Sequence, residues 1–285
     1  FVSGIIAANA DNGKGIAGVA GDADVQILPV KVMNKSGVGD AFNIAKGIDY
    51  AVAQGVDVIN LSFSGEYSES IEQAINKAVA AGIVVVAASG NGGGNADTSY
   101  PAALPNVLSV GAIAAKDQVY SRSNYGSTLD LVAPGVSVLS TALSGDLGDE
   151  NGFYKTGSGT SYAAPHVAAV AALYKMQNSD ASSSEVEQAL ISTATDLNEE
   201  GWDEKTGYGK LNAAAALAGG VDIEPLTFTL PKANASVIGK TTVQVALNDT
   251  EDVDTTKFYV DAVEESNLIG EVKGNEAPVA LEWDT

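Results

Sequence analysis

The run at residues 83–88 (IVVVAA) constrains the fold more than any other feature of the chain. Every position in it is apolar, and four of the six residues are β-branched. A strand of this composition is hydrophobic on both faces, as a central strand of a parallel sheet is. Before it, at residues 68–81, the apolar residues Ile71, Ile75 and Val79 recur every four positions, which predicts a helix with one buried face. The sequence therefore predicts an α/β domain built from parallel βα units.

Residues 1–215 continue this alternation of short apolar runs and helical patterns. Further strands are predicted at residues 25–33, 56–62, 107–112 and 129–132, and further helices at 41–54 and 162–177. Another helix is predicted to begin near Ser184, because Ser184 and Glu187 have the spacing of a capping box. The opening residues 1–8 are also helix-like.

The pattern changes after Gly219-Gly220. Residues 221–285 hold strand-like segments separated by polar turns, which predicts a small all-β module. We expect two domains, an α/β domain over residues 1–220 and a truncated Ig-like β-sandwich over residues 221–285. The strand-like segments are at residues 226–230, 242–247, 257–263 and 277–283.

Composition excludes several classes of function. The chain carries 36 acidic and 15 basic side chains, a net charge of −21, so nucleic acid is not an expected partner. It has no cysteine, which excludes disulfide scaffolds, thiol nucleophiles and cysteine-ligated zinc. No apolar run reaches the roughly 18 residues that a membrane span needs. The one histidine, His166, limits which acid–base mechanisms these residues can complete.

Residues 159–167 (GTSYAAPHV) carry the strongest local motif. They place Ser161 where a long alanine-rich helix begins, among unpaired N–H groups and the positive end of the helix dipole, which favour developing negative charge. Gly157 and Gly159 leave room for a substrate backbone. Taken alone, the segment is equally consistent with a plain N-cap serine followed by an early-helix proline. It is not an α/β-hydrolase elbow, because Ala163 stands where that motif has glycine.

Together with two other segments, this stretch resembles the serine motif of the subtilisin-like serine peptidases, the subtilases. Residues 88–91 (ASGN) resemble the family's segment that carries an oxyanion-binding asparagine. Residues 60–65 (NLSFSG) resemble the segment that pairs with the substrate and walls the S1 pocket. The resemblance covers residues 1 to about 218 and implies a subtilisin-like three-layer fold with a mostly parallel central sheet.

The resemblance also implies the roles of individual residues. Ser161 would be the nucleophile, and Asn91 would donate its side-chain amide to the oxyanion. The substrate-binding residues that it implies are Ser62, Phe63, Ser64, Gly90 and Thr160. Ser64 stands where the family often has glycine. Phe63 and the uncharged rim of the pocket predict an apolar or aromatic P1 preference.

His166 is not expected to be the catalytic base. It follows Ser161 by five residues on one predicted helix, which places the two side chains about 140° apart around the helix axis. The opening residues 1–7 resemble the segment that follows the family's catalytic histidine. We therefore expect the histidine and aspartate of a triad to lie upstream of Phe1, the chain to be a fragment of a longer protein, and the fragment alone to be inactive.

Residues 9–16 (NADNGKGI) resemble the family's calcium loop. The resemblance implies Ca²⁺ held by the side chain of Asn12 and the carbonyls of Ala10, Lys14 and Ile16, and a set of oxygen ligands suits that ion. An ordinary Asn-Gly turn is the alternative. A second, weaker cation site is expected at the carbonyls of Ala102, Leu104 and Val107.

These observations predict a secreted serine endopeptidase that acts on polypeptides, with a β-module that could contact the cell wall or the extracellular matrix. One alternative is a non-catalytic scaffold or adhesion protein with the subtilase fold. Another is a peptidase that uses a glutamate base, as the sedolisins do, although the match of residues 1–8 to the post-histidine segment argues against it. The acidity would also suit a salt-tolerant enzyme.

Overall fold

The structure is a computed structural model that describes residues 1–142, residues 153–218 and five strands between residues 226 and 284. The chain divides into two compact units, Phe1–Val221 and Asp222–Thr285. The helices of the first unit are α1 (Val2–Ala7), α2 (Ala41–Ala53), α3 (Glu69–Ala80), α4 (Thr160–Gln177), α5 (Ser183–Ser192) and α6 (Ala213–Leu217). Its strands are β1 (Val58–Leu61), β2 (Val84–Ala88), β3 (Leu108–Ile113), β4 (Leu131–Pro134), β5 (Val138–Thr141) and β6 (Tyr154–Gly157).

The first four strands form one parallel sheet in the order β1-β2-β3-β4. Each successive pair is joined through a helix or a loop that runs outside the sheet, as parallel pairing requires. Strands β5 and β6 form a separate antiparallel pair. The predicted α/β class is therefore confirmed, and the β5–β6 pair is an element that the hydrophobic pattern did not predict.

Strand β2 shows why the IVVVAA run forms a central strand. Val84 and Val86 point into one hydrophobic cluster, which also contains residues of α4, α5 and α6. Val85 and Ala87 point into a second cluster with residues of α2 and α3. All four are at most 2% exposed. Side chains alternate across a strand, so a run apolar at every position fills both cores at once.

Helix α4 is the element that joins the site to the core. It packs against all four strands of the parallel sheet. Its buried positions are mainly alanine and valine, including Ala164, Ala168 and Ala171. Small side chains allow close approach of helix and sheet, so the position of the first turn of α4 is set by the packing of the whole helix.

The predicted strand at residues 25–33 is wrong. The segment forms no sheet ladder, and Ile27 and Leu28 are each 39% exposed. A cavity of about 720 Å³ lies between this segment and β1, and side chains of α2 and α4, such as Ile48 and Ala168, line it as well. A β-branched sequence forms a strand only when a neighbour completes its hydrogen bonds, and here the cavity separates the segment from β1.

The start of α5 also differs from the prediction. The capping box uses Ser182 and Glu185, not Ser184 and Glu187. The hydroxyl of Ser182 accepts from the backbone N–H of Glu185 at 3.2 Å, and the Glu185 carboxylate accepts from the N–H of Ser182 at 2.6 Å. Two overlapping Ser-x-x-Glu sequences occur here, and the helix begins at the first of them.

In the described residues of the second unit, the backbone forms five strands. They are β7 (Leu226–Leu230), β8 (Lys240–Leu247), β9 (Thr255–Tyr259), β10 (Leu268–Lys273) and β11 (Val279–Asp284). Strands β11, β8 and β7 form one antiparallel sheet in that order, and β9 pairs with β10. The Ig-like assignment of this unit stays a prediction. In the described part of the chain, no helix is long and apolar enough to cross a membrane.

Candidate active site

The candidate site lies at the carboxyl ends of the parallel strands. The loop that carries Gly90 and Asn91 follows β2, and the segment with Ser62 follows β1. The start of α4 is held beside the end of β4, because the N–H of Gly159 donates to the carbonyl of Gly135 at 2.7 Å. Carboxyl ends of parallel strands meet at one edge of a sheet, which is where α/β proteins bind their ligands.

Ser161 is the second residue of α4 and is half-buried. The N-cap position belongs to Gly159, so Ser161 does not cap this helix. Its position in the first turn places it among backbone N–H groups without intrahelical partners and at the positive end of the dipole. Pro165, four residues on, has no N–H with which to bond the Ser161 carbonyl. This setting favours negative charge developing beside the Ser161 hydroxyl.

The side chain of Asn91 has a defined orientation. Its Oδ1 accepts from the backbone N–H of Thr160 at 2.8 Å and from the Thr160 hydroxyl at 3.3 Å. The same hydroxyl accepts from the N–H of Gly90 at 3.2 Å. Among the described residues, the Nδ2 group of Asn91 donates to no protein acceptor. The amide is therefore anchored through its oxygen, and its two N–H bonds remain available to a ligand.

Gly159 lets Asn91 approach the start of α4. Its φ is +150°, and a Cβ added there would lie 3.1 Å from Oδ1 of Asn91 and 3.4 Å from its Nδ2. A larger residue would therefore bring its Cβ into a tighter than ordinary contact with the amide oxygen of Asn91. The close approach of Asn91 to the start of α4 therefore explains why glycine occupies position 159.

The residues predicted to bind substrate lie around this terminus and along the segment after β1. Thr160 and Gly90 are buried and bond to each other, as described above. The hydroxyl of Ser62 accepts from the Asn60 side chain at 2.8 Å. Phe63 is partly buried against the cluster under α2 and α3, and Ser64 is exposed.

His166 faces away from this chemistry. Its Nδ1 lies 2.8 Å from the carbonyl of Tyr162, four residues earlier on α4. A carbonyl only accepts, so Nδ1 carries the proton and the neutral ring has one defined tautomer. Burial, the largest cause, lowers the pKa of His166 below its ordinary value. The ring is thus a neutral helix residue.

The beginning of the chain lies against the start of α4. The ring of Phe1 is 4.6 Å from the ring of Tyr162, the residue after Ser161. The carbonyl of Phe1 also accepts from the Ser140 hydroxyl at 2.7 Å. These contacts hold the first residue of the chain close to the candidate nucleophile.

The predicted calcium loop contains a turn. Oδ1 of Asn12 accepts from the N–H of Lys14 at 2.9 Å, and Gly13 adopts a φ of +70°. The loop is exposed at Asp11 to Gly15. One lone pair of the Asn12 oxygen is used in this turn and the other is free, so the donor chemistry still suits Ca²⁺. Among the residues that the structure describes, no cluster of three or more acidic or histidine side chains could hold a metal.

One residue of the site was missed by the sequence reasoning. Asn124 bonds to the loop after β2 on both sides of Asn91. Residues 122–126 (RSNYG) read as an ordinary turn, and no local pattern signals a contact with a loop more than 30 positions away.

Comparison with known proteins gives one consistent result. Residues 1–209 match the Subtilase family, peptidase S8. Subtilisin DY from Bacillus licheniformis is 41% identical over 219 residues, which cover 75% of this chain and 75% of that protein. Subtilisin Savinase from Lederbergia lenta is 42% identical over 216 residues, with 75% of each chain covered. The minor extracellular protease Epr from Bacillus subtilis is 38% identical over 216 residues, but the match spans only 32% of Epr.

Solved structures agree with this match. A protease structure from Pseudoalteromonas arctica superposes with a TM-score of 0.69 at 38% identity, covering 76% of this chain and 69% of that one. A lanthipeptide protease superposes with a TM-score of 0.64 at 29% identity, covering 76% of this chain and 83% of that one.

Proposed function

Because the chain belongs to the subtilase family, we propose that it carries the nucleophile and the oxyanion-binding half of a serine endopeptidase site. One observation carries this proposal. The amide of Asn91 is anchored by its oxygen to Thr160, with its N–H bonds free, beside the helix turn that presents Ser161. A free, pre-oriented donor next to a helix N-terminal serine is the arrangement that acyl transfer needs.

In the proposed reaction, Oγ of Ser161 attacks the carbonyl carbon of a peptide bond while its proton passes to a histidine base. The oxyanion that forms receives hydrogen bonds from Nδ2 of Asn91 and from the backbone N–H of Ser161. The base then returns the proton to the leaving amine, and water releases the acyl group by the same route. Loss of such an asparagine from a subtilisin, a relative of this chain, lowers kcat by about 10²–10³.

We infer that the base comes from outside residues 1–285. His166 is engaged with the Tyr162 carbonyl. Phe1 lies against Tyr162, so a residue directly before Phe1 would stand near Ser161. This placement supports a histidine upstream of Phe1, held by an upstream aspartate. On this proposal residues 1–285 alone do not cleave peptides.

The test compares the full-length protein with residues 1–285 on a peptide substrate and with a fluorophosphonate probe. We expect cleavage and labelling only in the full-length protein, with both lost in Ser161→Ala. In Asn91→Ala, kcat should fall by about 10²–10³ while the protein still folds. Asn212→Ala, at the cap of α6, serves as the control and should keep kcat. Cleavage that survives Ser161→Ala would exclude the proposed nucleophile.

We propose polypeptides as the substrates and secretion as the localisation. Supporting this are the family match and the extracellular relative Epr. An apolar or aromatic P1 preference is proposed from Phe63, and cleavage profiling that found lysine or arginine dominant at P1 would contradict it. The contact of the second unit with a cell wall or matrix stays a prediction.

We also propose that Asn12 and the carbonyls of Ala10, Lys14 and Ile16 hold a structural Ca²⁺. The free lone pair of the Asn12 oxygen and the exposed loop support this. Chelation of calcium should lower the thermal midpoint, and in Asn12→Ala the effect of chelation should shrink. Equal effects of chelation on both proteins would remove the site from this loop. The carbonyls of Ala102, Leu104 and Val107 are proposed as the weaker second site.

A further inference from the structure

We propose that Asn124 is a positioning residue of the oxyanion site. It lies on the turn before β4 and holds the loop at residues 89–94 in the conformation that presents Asn91. The catalytic meaning of this inference rests on the proposed function, because the group that it positions is the proposed oxyanion donor.

Asn124 bonds to the loop through both ends of its amide. Oδ1 accepts from the N–H of Gly92 at 2.9 Å and from the N–H of Gly94 at 3.2 Å. Nδ2 donates to the carbonyl of Ser89 at 3.0 Å. The acceptor end thus holds the loop after Asn91, and the donor end holds it before Asn91.

The backbone of Asn124 adds a fourth bond. Its N–H donates to the carbonyl of Gly90 at 3.0 Å. Gly90 packs so closely on the amide that an added Cβ would lie 2.5 Å from Nδ2 of Asn124, and its φ of +103° suits glycine. The four hydrogen bonds fix the loop backbone on each side of residue 91.

Asn91 is therefore positioned from two directions. Thr160 holds its side-chain oxygen, and Asn124 holds the backbone from which that side chain projects. In the described structure Asn124 makes no hydrogen bond to Asn91 itself, so its effect passes through the loop. When Asn124 is truncated, the N–H groups of Gly92 and Gly94 lose their acceptor and the carbonyl of Ser89 loses its donor, so three of the four bonds that fix the loop are removed.

The chemistry of the amide is specific. Its two ends face opposite partners, since two N–H donors meet the oxygen and a carbonyl meets the nitrogen. Aspartate has the same shape and keeps the acceptor, but it loses the donor and places a negative charge against the Ser89 carbonyl. Alanine loses both ends. Asn124→Asp therefore removes the donor end of the contact, and Asn124→Ala removes both ends.

The conformation of the loop at residues 89–94 is expected to affect kcat more than KM. A donor to the oxyanion acts on charge that forms only in the transition state, so its displacement lowers kcat and leaves KM nearly unchanged. A misplacement of about 1 Å can cost about 10²-fold in rate. We expect Asn124→Ala to lower kcat by about 10- to 100-fold with KM within about twofold, and Asn124→Asp to lower kcat by less.

The test is a double-mutant cycle in the full-length protein, with Asn91→Ala, Asn124→Ala and the double variant assayed for kcat and KM on one peptide. If Asn124 acts by positioning Asn91, the second substitution lowers kcat little further once Asn91 is absent. Asn212→Ala is the matched control, because Asn212 also bonds through both ends of its amide. It should lower the thermal midpoint and leave kcat unchanged.

Each outcome has one meaning. A wild-type kcat in Asn124→Ala, or an equal loss in the presence and absence of Asn91, overturns the positioning role. If Asn124→Ala does not fold, Asn124→Asp decides, and a wild-type kcat there overturns the role assigned to the donor end. If Asn91→Ala itself keeps full kcat, the proposed oxyanion donor fails, whatever Asn124 does. If Asn91→Ala is impaired and Asn124→Ala is not, only the inference about Asn124 fails.

Discussion

Asp130 is a partly buried residue whose carboxyl group the proposed reaction does not use. Its Oδ2 accepts from the N–H of Ser109 at 2.7 Å, where β3 and β4 come together. Burial, the main cause, raises the pKa of Asp130 well above its ordinary value, and the charge of Glu187 on α5 raises it further. Only the bond from Ser109 acts in the opposite direction. The folded protein therefore favours the protonated form of this carboxyl.

This shift predicts how stability depends on pH. Between the ordinary pKa of an aspartate, about 4, and the raised folded value, the folded state holds a proton that the unfolded state has released. The free energy of unfolding therefore falls as pH rises through this window, by up to about 1.4 kcal/mol per pH unit for one proton. Below about pH 4 and above the folded pKa, this group contributes no slope.

The variant Asp130→Asn keeps an oxygen that can accept from Ser109 and cannot ionise. We expect its stability relative to wild type to improve as the pH rises above the ordinary aspartate value of about 4, and to level off once the pH passes the raised folded pKa of Asp130. The assay is urea unfolding at a series of pH values, since urea leaves charge interactions unscreened. Fluorescence of Trp202 reports on this region, because its Nε1 donates to the carbonyl of Leu129 at 2.9 Å. Trp283→Phe in both proteins removes the other tryptophan.

The matched control for this prediction is Glu187→Gln. It removes the charge that raises the pKa of Asp130 further and keeps the contribution of burial, so the pH range over which stability falls should narrow without disappearing. A difference in the free energy of unfolding between wild type and Asp130→Asn that does not change with pH above about 4 would refute the reasoning. It would mean that Asp130 ionises inside the protein without cost.

Two further predictions concern local structure. Ser182→Ala should lower the free energy of unfolding by about 0.5–2 kcal/mol because it removes the α5 cap. Ser184→Ala should change it by less than about 0.5 kcal/mol. Urea unfolding midpoints measure both effects, and equal effects would contradict the capping box of Ser182 and Glu185. Gly207→Ala should lower the free energy of unfolding by about 1–3 kcal/mol more than Gly55→Ala does. Both glycines have φ values of +60° or slightly more, but only at Gly207 would a Cβ meet the Asp130 carbonyl. Equal losses of the thermal midpoint in the two variants would refute this.

A strand of the sheet was predictable from the sequence where burial of both its faces determines its composition. Strand β2 is apolar at each position because helices cover both of its faces, and this pattern is legible without any partner. The segment at residues 25–33 is also rich in apolar residues and is not a strand, since pairing depends on what lies beside it in space. Local composition indicates whether a segment could form a strand, but not whether another strand lies beside it in the folded protein.

The site was predictable to a similar degree. Ser161 and Asn91 stand in motifs short enough to be recognised in the chain, and the fold brings their two segments together. Asn124 was not predictable, because its role depends on a contact with Gly92 and Gly94 that only the folded chain creates. The choice between Ser182 and Ser184 as cap was likewise not predictable, because each serine has a glutamate three residues later.

The uncovered side of β1 has a consequence for handling the protein. Among the described residues, that edge has no strand neighbour and borders the cavity beside residues 25–30, so the N–H and C=O groups on this side can pair with another chain. The net charge of −21 keeps molecules apart near neutral pH. This repulsion disappears as the pH approaches the isoelectric point near 4.1. We therefore expect association through this edge to increase as the pH approaches that value, which light scattering at a series of pH values would detect.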